Sequence, residues 1–474
     1  MTTPAIYNTE VFQKMSFHSQ HPFEHETGTF VMESFVEDHV FYDESGREEA
    51  VINTIAYTRP SDEPRPVMFL WNGGPGSATS TLNLECFGPY QMKKDGDGMT
   101  ASNELVEDPN CLLDICDLVF VDPVGVGFSR LLNSEKQETY YSLDGDARSN
   151  AYAVLDWIRT HRRWDSPIYL LGESYGTVRV SRMLEEFGRN PMVGNKMMLG
   201  LKIAGIILVG VALSVDEKGS IYDPKLDLLT SALPTMAAVN WYHNHKEFET
   251  PIREEDFVEN AWQFVAKELC PALFQGDECP DSDIQRLAEK LSEITGMDAS
   301  YFVKTRLTLR DVEDFMTQVA AAQGNRVDIY DGRVTQPLSK AYNPVGDSNI
   351  PLLLMNGKLA EKLSLDPARL YFTGNINVND AWSYKSADGI GNMDCLKHAM
   401  DRMPEMKVFV ASGRYDLCTL LGNTRYLFSH AGLPRQNLTL REYEGGHGVY
   451  SSTEGKRKFL ADIRAMLCTG CGQQ

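Results

Sequence analysis

Residues 166–177 read SPIYLLGESYGT: an apolar run closing on Gly172-Glu173-Ser174-Tyr175-Gly176, followed at once by a helical pattern over 175–186. A G-x-S-x-G pentapeptide alone is a weak signal, and a serine there can simply cap a helix. Its position between a buried strand and a helix is the context that a nucleophile elbow requires. In such an elbow the two glycines permit a sharp strand-to-helix turn, which lifts the serine hydroxyl out of the chain and leaves room for a second backbone. Ser174 is therefore the candidate nucleophile.

Outward from the elbow, short apolar runs at 66–71, 118–122, 167–171 and 203–209 read as buried strands, with helical patterns at 146–161 and 175–186 between them. Strands that alternate with helices predict a mostly parallel sheet covered on both faces. Alternating runs at 29–42 and 50–58, separated by a turn around Gly46, predict an antiparallel hairpin. From about Val215 the sequence turns charged, amphipathic and helical. Strand-like runs return at 407–411 and 438–443, and a last amphipathic helix spans 453–467. The expected architecture is one α/β domain formed by 1–214 and 386–474, interrupted by a helical insertion at 215–385.

The 474 residues are 42% hydrophobic and 23% charged, ordinary globular usage that excludes wholesale disorder and collagen-like or coiled-coil character. Forty-five basic residues against 66 acidic ones leave a net charge of −21, which disfavours nucleic acid and anionic membrane surfaces as partners. The longest apolar stretch, 203–215, is shorter than the ~20 residues a bilayer span needs. The opening MTTPAIYNTEVFQK lacks the basic-then-apolar order of a secretory signal, so a cytoplasmic location is expected. Nine cysteines do not form a disulfide framework, and Cys468 and Cys471 read as a pair of exposed thiols. His18, His21 and His25 fall in an N-terminal arm expected to be solvated. Gly125 and Gly127 read as a turn beside the site, since no complete phosphate-binding motif is present.

An activated serine needs a base, and the base an orienting carboxylate, in the chain order Ser, acid, His on this fold. Of the five histidines downstream of Ser174, only His447 sits in a glycine-rich loop, EGGHGVY, after a strand and before the last helix. His243 and His245, two apart on a helix, point in different directions and make a poor metal pair. His398 and His430 read as helix-surface residues. Asp416, in SGRYDLCT just beyond the strand-like KVFVA, is the best-placed acid. Trp71-Asn72-Gly73-Gly74-Pro75-Gly76 follows another strand, and its glycines leave backbone amides free to face a substrate oxygen.

Together WNGGPGS, VFVDPVGVGFS, LLGESYGT, SGRYDLCT and EGGHGVY, in this order over residues 66–450, resemble the serine carboxypeptidase family, which implies an α/β-hydrolase fold with the helical insertion at 215–385 as its cap. The resemblance implies Ser174 as nucleophile, His447 as base and Asp416 as its partner. It adds the amides of Gly74 and Tyr175 as the oxyanion hole, and Asn72, the Gly73 backbone and Glu173 as binders of the substrate's terminal carboxylate. It implies removal of C-terminal residues from peptides or amino-acid conjugates through an acyl-enzyme, favoured at acidic pH, with no metal or cofactor. The rival is an esterase, amidase or acyltransferase using the same triad; the chain as monomer or homodimer is left open.

Three departures stand out. Ser77 replaces a cysteine common after GGPG. Cys86 stands where an additional acid is often found before Gly-Pro, with Glu85 one position earlier. Gly448 and Val449 replace a bulkier methionine after the histidine, which predicts a wider leaving-group pocket. In the expected cap, Leu233-Pro234-Thr235, Trp241-Tyr242 and RVDIYDGR around Asp331 are similar to family members, and its aromatics are candidates to line a substrate pocket.

Overall fold

A computed structural model of the chain describes residues 12–95, 100–188, 201, 203–222, 225–344, 349–367 and 369–471. Its centre is a twisted sheet. The principal strands are β1 (Ser16–His25), β2 (Gly28–Tyr42), β3 (Glu48–Thr58), β4 (Val67–Trp71), β5 (Asp117–Asp122), β6 (Ile168–Glu173), β7 (Ile203–Val209), β8 (Lys407–Gly413) and β9 (Leu438–Tyr443). They lie in the order β1-β2-β3-β5-β4-β6-β7-β8-β9, and Arg130–Leu131 pairs with β3 as well. The β1–β2, β2–β3 and β3–β5 pairings are antiparallel, and every later neighbour is parallel.

Strands β4, β5 and β6 are buried at every residue, as expected of parallel strands covered on both faces. Alternate side chains feed two cores. Phe69, Trp71 and Leu170 pack with Trp157 of α1 (Leu143–Thr160) and Val178 of α2 (Tyr175–Gly188). Met68, Leu70, Tyr169 and Leu171 pack on the opposite face with Phe459 and Ile463 of the C-terminal helix, Thr453–Cys471. The predicted hairpin, parallel strands and final helix are all present.

A third hydrophobic cluster belongs to helices inserted between β7 and β8. It is built on α3 (Leu228–Asn244), α4 (Glu254–Phe264) and α5 (Asp281–Thr295), runs from Leu229 to Val327, and is joined by Tyr415, Leu417, Leu420 and Leu421 from beyond β8. The sequence reading carried this insertion to 385, but the chain returns to the sheet earlier. Leu354, Met355, Leu359, Leu363 and Tyr371 join one face of the sheet's core and Val378 the other. These residues lie on short helical turns, whose pattern is hard to separate by sequence from that of the inserted helices. No helix among the described residues is long and apolar enough to cross a membrane.

The N-terminal arm is not a solvated segment. Its SFHSQHPFEH forms β1, paired residue for residue with β2 from Ser16↔Glu37 to His25↔Gly28. Polar residues on its outer face disguise the alternation, and Pro22 is tolerated because the strand lies at the sheet edge. His25 is buried, donating through Nε2 to the Cys111 carbonyl at 2.9 Å, while its Nδ1 accepts from the Thr27 amide at 3.1 Å. Cys468 is exposed, and the Cys471 side chain lies outside the described residues. No disulfide occurs among the described cysteines.

One buried ion pair locks the returning segment to the sheet. Arg369 Nη2 donates to both oxygens of Asp38 on β2, at 2.6 and 2.9 Å, and both side chains are essentially inaccessible. Asn53 and the Met15 amide complete the carboxylate's shell at 2.8 and 2.7 Å. Removing one partner of such a pair strands the other charge away from water. Arg369→Met is therefore expected to lower unfolding free energy by about 3–5 kcal/mol, read from urea denaturation.

Candidate active site

The strand register decides which loops meet. Trp71, the last residue of β4, lies opposite Gly172 of β6, so the loop after β4 and the elbow after β6 emerge side by side. Ser174 occupies the left-handed region at φ 57°, the strained turn expected of an elbow. Its N–H donates to the Val209 carbonyl at 2.9 Å, and its own carbonyl accepts from the Thr177 amide and hydroxyl at 2.9 and 2.7 Å. These bonds fix the turn from both sides.

Gly73 sits so close that a Cβ there would come within 2.6 Å of both Ser174 Cβ and the Tyr175 nitrogen. Gly74 follows at φ 104°. The Tyr175 N–H opens its helix and so has no intrahelical acceptor. The amides expected to form an oxyanion hole thus lie on facing backbones beside Ser174. Arg179 of α2 secures the arrangement, donating to the Asn72 carbonyl and the Asp146 carboxylate, each at 2.8 Å.

His447 and Asp416 come together as the sequence predicts. His447 Nδ1 lies 2.8 Å from Asp416 Oδ2, and Asp416 is fully buried. Asp416 Oδ1 accepts from the amides of Cys418 and Thr419 at 2.8 and 2.9 Å, and the Thr419 hydroxyl donates to Oδ2. The imidazole packs over Gly210, where a Cβ would come within 3.1 Å of His447 Cε1. Gly210 directly follows Val209, which holds the Ser174 amide, so base and nucleophile converge on one turn. Burial by itself disfavours imidazolium at His447, but the charge and hydrogen bond of Asp416 and the charge of Glu173 outweigh it and raise the pKa to about 9.

Glu173, beside the nucleophile, is a buried carboxyl. Its Oε1 accepts from Asn72 Nδ2 at 2.7 Å and its Oε2 from the Tyr450 hydroxyl at 2.5 Å. Asn72 is oriented in turn by the Leu82 amide, 3.1 Å from its Oδ1. Burial pushes the Glu173 pKa up, and Glu85 adds to this; His447, Tyr450 and Asn72 act in the opposite direction.

Glu85 does not reach Glu173: it pairs with Lys94 at 2.7 Å, as its one-residue offset suggests. Cys86 is buried, and burial holds its thiol well above the usual range. Val449 does not widen a pocket as anticipated, because it is packed in the sheet core. Gly448 instead lies against the Tyr450 ring, with a Cβ there only 3.1 Å from Cζ.

The segment around Asp331 buttresses the histidine loop. The Tyr330 carbonyl accepts from the His447 amide at 2.6 Å, its ring lies 5.4 Å from the imidazole, and Asp331 accepts from Arg333 and Ser451. Of the aromatics expected to line a pocket, Trp241 stacks on His245, and Tyr242 packs edge-on against Tyr415, the neighbour of Asp416. Leu233, Pro234 and Thr235 are buried in the inserted helices. His243 and His245 turn to the carbonyls of Gly332 and Trp241, at 2.8 Å each, and form no metal pair. The turn at Gly125 and Gly127 is covered by Val378 and Phe372. Among the described residues, Asp416, Cys418 and His447 bring donor atoms within 4.8 Å of one another. Asp416 and His447 already satisfy each other, however, and burial keeps the Cys418 thiol protonated, which suits this group to holding a proton.

Fold and site together define a serine hydrolase of the α/β-hydrolase class. The profile described as serine carboxypeptidase matches residues 17–454, and the chain belongs to that family of peptidases. Among solved structures it is similar to Kex1(delta)p, a prohormone-processing carboxypeptidase from Saccharomyces cerevisiae, with 11% identity, 91% of each chain covered and a TM-score of 0.56; that likeness is one of fold. A carboxyl esterase from Bacillus coagulans (11% identity, 91% of this chain and 99% of that one, TM-score 0.36) overlaps too loosely to carry an argument. The same holds for a homoserine O-acetyltransferase from Bacillus anthracis (11%, 96% and 98%, 0.38). No curated protein matches in sequence.

Because a Cβ at Gly73 would collide with backbone, Gly73→Ala must displace either the elbow or the facing loop. Labelling of Ser174 by a fluorophosphonate is expected to slow by about 10²-fold or more in this variant, with far-UV circular dichroism unchanged.

Proposed function

We propose that this serine carboxypeptidase recognises a free C-terminal carboxylate through Glu173, Asn72 and the Gly73 amide, and cleaves the adjacent bond with Ser174, His447 and Asp416. The observation that carries this reading is the buried Glu173 carboxyl, one residue from the nucleophile and already bonded to Asn72.

In the forward half-reaction His447 removes the Ser174 proton as Oγ attacks the scissile carbonyl carbon. The Gly74 and Tyr175 amides receive the oxyanion, while Asp416 stabilises the imidazolium. His447 then passes the proton to the departing amino group, and the C–N bond breaks to leave an acyl-Ser174 ester. Water repeats the sequence in the second half, releasing the shortened acid and restoring the serine.

Two carboxyl groups cannot be in contact unless they share a proton, so Glu173 binds the product-side carboxylate only when protonated. Its raised pKa extends that form toward neutral pH. Protonation also removes one of the charges that support imidazolium at His447, so the acid and the base titrate as a coupled pair. The sign follows for binding: KM for free-carboxyl substrates is low while Glu173 is protonated and rises as pH passes upward through its apparent pKa, whereas protonation of His447 at lower pH removes the base and lowers kcat.

Three measurements test the reading. Ser174→Ala is expected to abolish fluorophosphonate labelling and to lower kcat by roughly 10⁴-fold or more. Glu173→Gln, a permanent donor, is expected to flatten the acid preference on N-blocked dipeptides with free C-termini, and an unaltered pH profile would count against the carboxylate role. Equal wild-type rates on free and amidated dipeptides would favour an esterase or acyltransferase in place of a carboxypeptidase.

A further inference from the structure

Glu173 needs support on both oxygens, and among the described residues two side chains hydrogen-bond to it. Asn72 supplies Oε1 from the loop after β4, and Tyr450 supplies Oε2 from the histidine loop, three residues beyond His447. Among the described residues no second carboxyl is hydrogen-bonded to it. Cys86 occupies a position shortly before Gly-Pro, it is buried, and Glu85 is turned to Lys94. Other ionisable groups acting on Glu173 are His447, Glu85 and the buried Cys86 thiol.

We propose that Tyr450 is the positioning residue of the carboxylate-recognition site, that its phenol takes the place of a second acid on Glu173, and that the free C-terminus is held through one shared proton. The proposal rests on the carboxylate-binding role given to Glu173 above.

The chemistry of the partners leads to this. Asn72 can only donate through its Nδ2, and the buried Tyr450 phenol stays neutral, since burial and the neighbouring Glu173 both oppose its ionisation. The enzyme therefore brings a single ionisable carboxyl to the substrate's carboxylate, and one proton between the two brings their joint charge to −1. A phenol that donates to Oε2 also favours the ionised form of Glu173. Tyr450 thus fixes the carboxyl in place and limits how far up the pH scale it keeps its proton. Gly448 belongs to the same device: a side chain there would press on the Tyr450 ring that holds the hydroxyl against Glu173.

The test compares wild type, Tyr450→Phe, Glu173→Gln and the double variant on N-blocked dipeptides with free or amidated C-termini. In Tyr450→Phe the rise of KM with pH is expected to move upward by about one pH unit for free-carboxyl substrates, with no such displacement on the amidated ones. In the Glu173→Gln background the same substitution should leave the pH profile alone. A Tyr450→Phe enzyme that labels at the wild-type rate, with a KM profile superimposable on wild type, would overturn the proposal while leaving the role of Glu173 intact. If wild type itself makes no distinction between acid and amide, both fall. A second measurement needs no change at Tyr450. Calorimetric titration of Ser174→Ala with an N-blocked dipeptide acid, in buffers of differing ionisation enthalpy, should show uptake of no more than one proton per ligand. Uptake of more than one proton would overturn the single-proton arrangement.

Discussion

Everything at this site depends on how closely two backbones can approach. The register that sets Trp71 beside Gly172 brings the loop after β4 against the elbow after β6, and only hydrogen fits where they touch. Glycine at 73 and at 176 is thus a steric requirement: a Cβ at Gly176 would lie 2.8 Å from the Trp71 carbonyl, and one at Gly73 would meet Ser174. With the backbones this close, the two amides proposed as oxyanion donors lie on facing segments beside the serine. Asn72, anchored in that loop, reaches the carboxyl of the residue preceding the nucleophile. In the proposed mechanism, nucleophile, oxyanion donors and carboxylate recognition all depend on this one approach distance.

The acid and base enter from separate strand ends and are brought to the same point by β7. Val209 holds the Ser174 amide, and Gly210 gives the imidazole a flat surface to rest on. Asp416 is held by two amides and a hydroxyl, which leaves its remaining contact for His447 Nδ1. The electrostatic balance is shared: Glu173 and Asp416 both support a positive charge on His447, one from the recognition side and one from the catalytic side.

The sheet was readable because buried parallel strands are short, continuous apolar runs, and because the glycine motifs sit at their ends. The serine, histidine and aspartate were readable because chain order and strand ends leave few choices. Other features leave weaker traces. β1 carries its alternation mostly in Ser, His, Gln and Glu, so hydrophobicity does not reveal it. The return of 350–385 to the core depends on short turns and on Arg369 finding Asp38 more than three hundred residues away, which no local pattern encodes. Tyr450 and Thr419 lie within recognised motifs, yet a tyrosine or threonine there reads as ordinary packing until its oxygen is seen against Glu173 or Asp416. The anticipated pocket-widening at Val449 failed for a related reason, since the side chain's direction belongs to the loop as folded.

The aspartate loop has a second allegiance. Tyr415, Leu417, Leu420 and Leu421, which bracket Asp416, are buried in the hydrophobic cluster of the inserted helices and not in either core of the sheet. The insertion also lends the carbonyl of Tyr330 to the His447 amide. The helical unit is therefore no detachable lid that evolution or engineering could exchange to alter what the enzyme cuts. Its packing sets where the catalytic acid stands, so mutational drift in the insertion is filtered by turnover as well as by substrate choice, and grafted insertions would have to bring their own support for the aspartate.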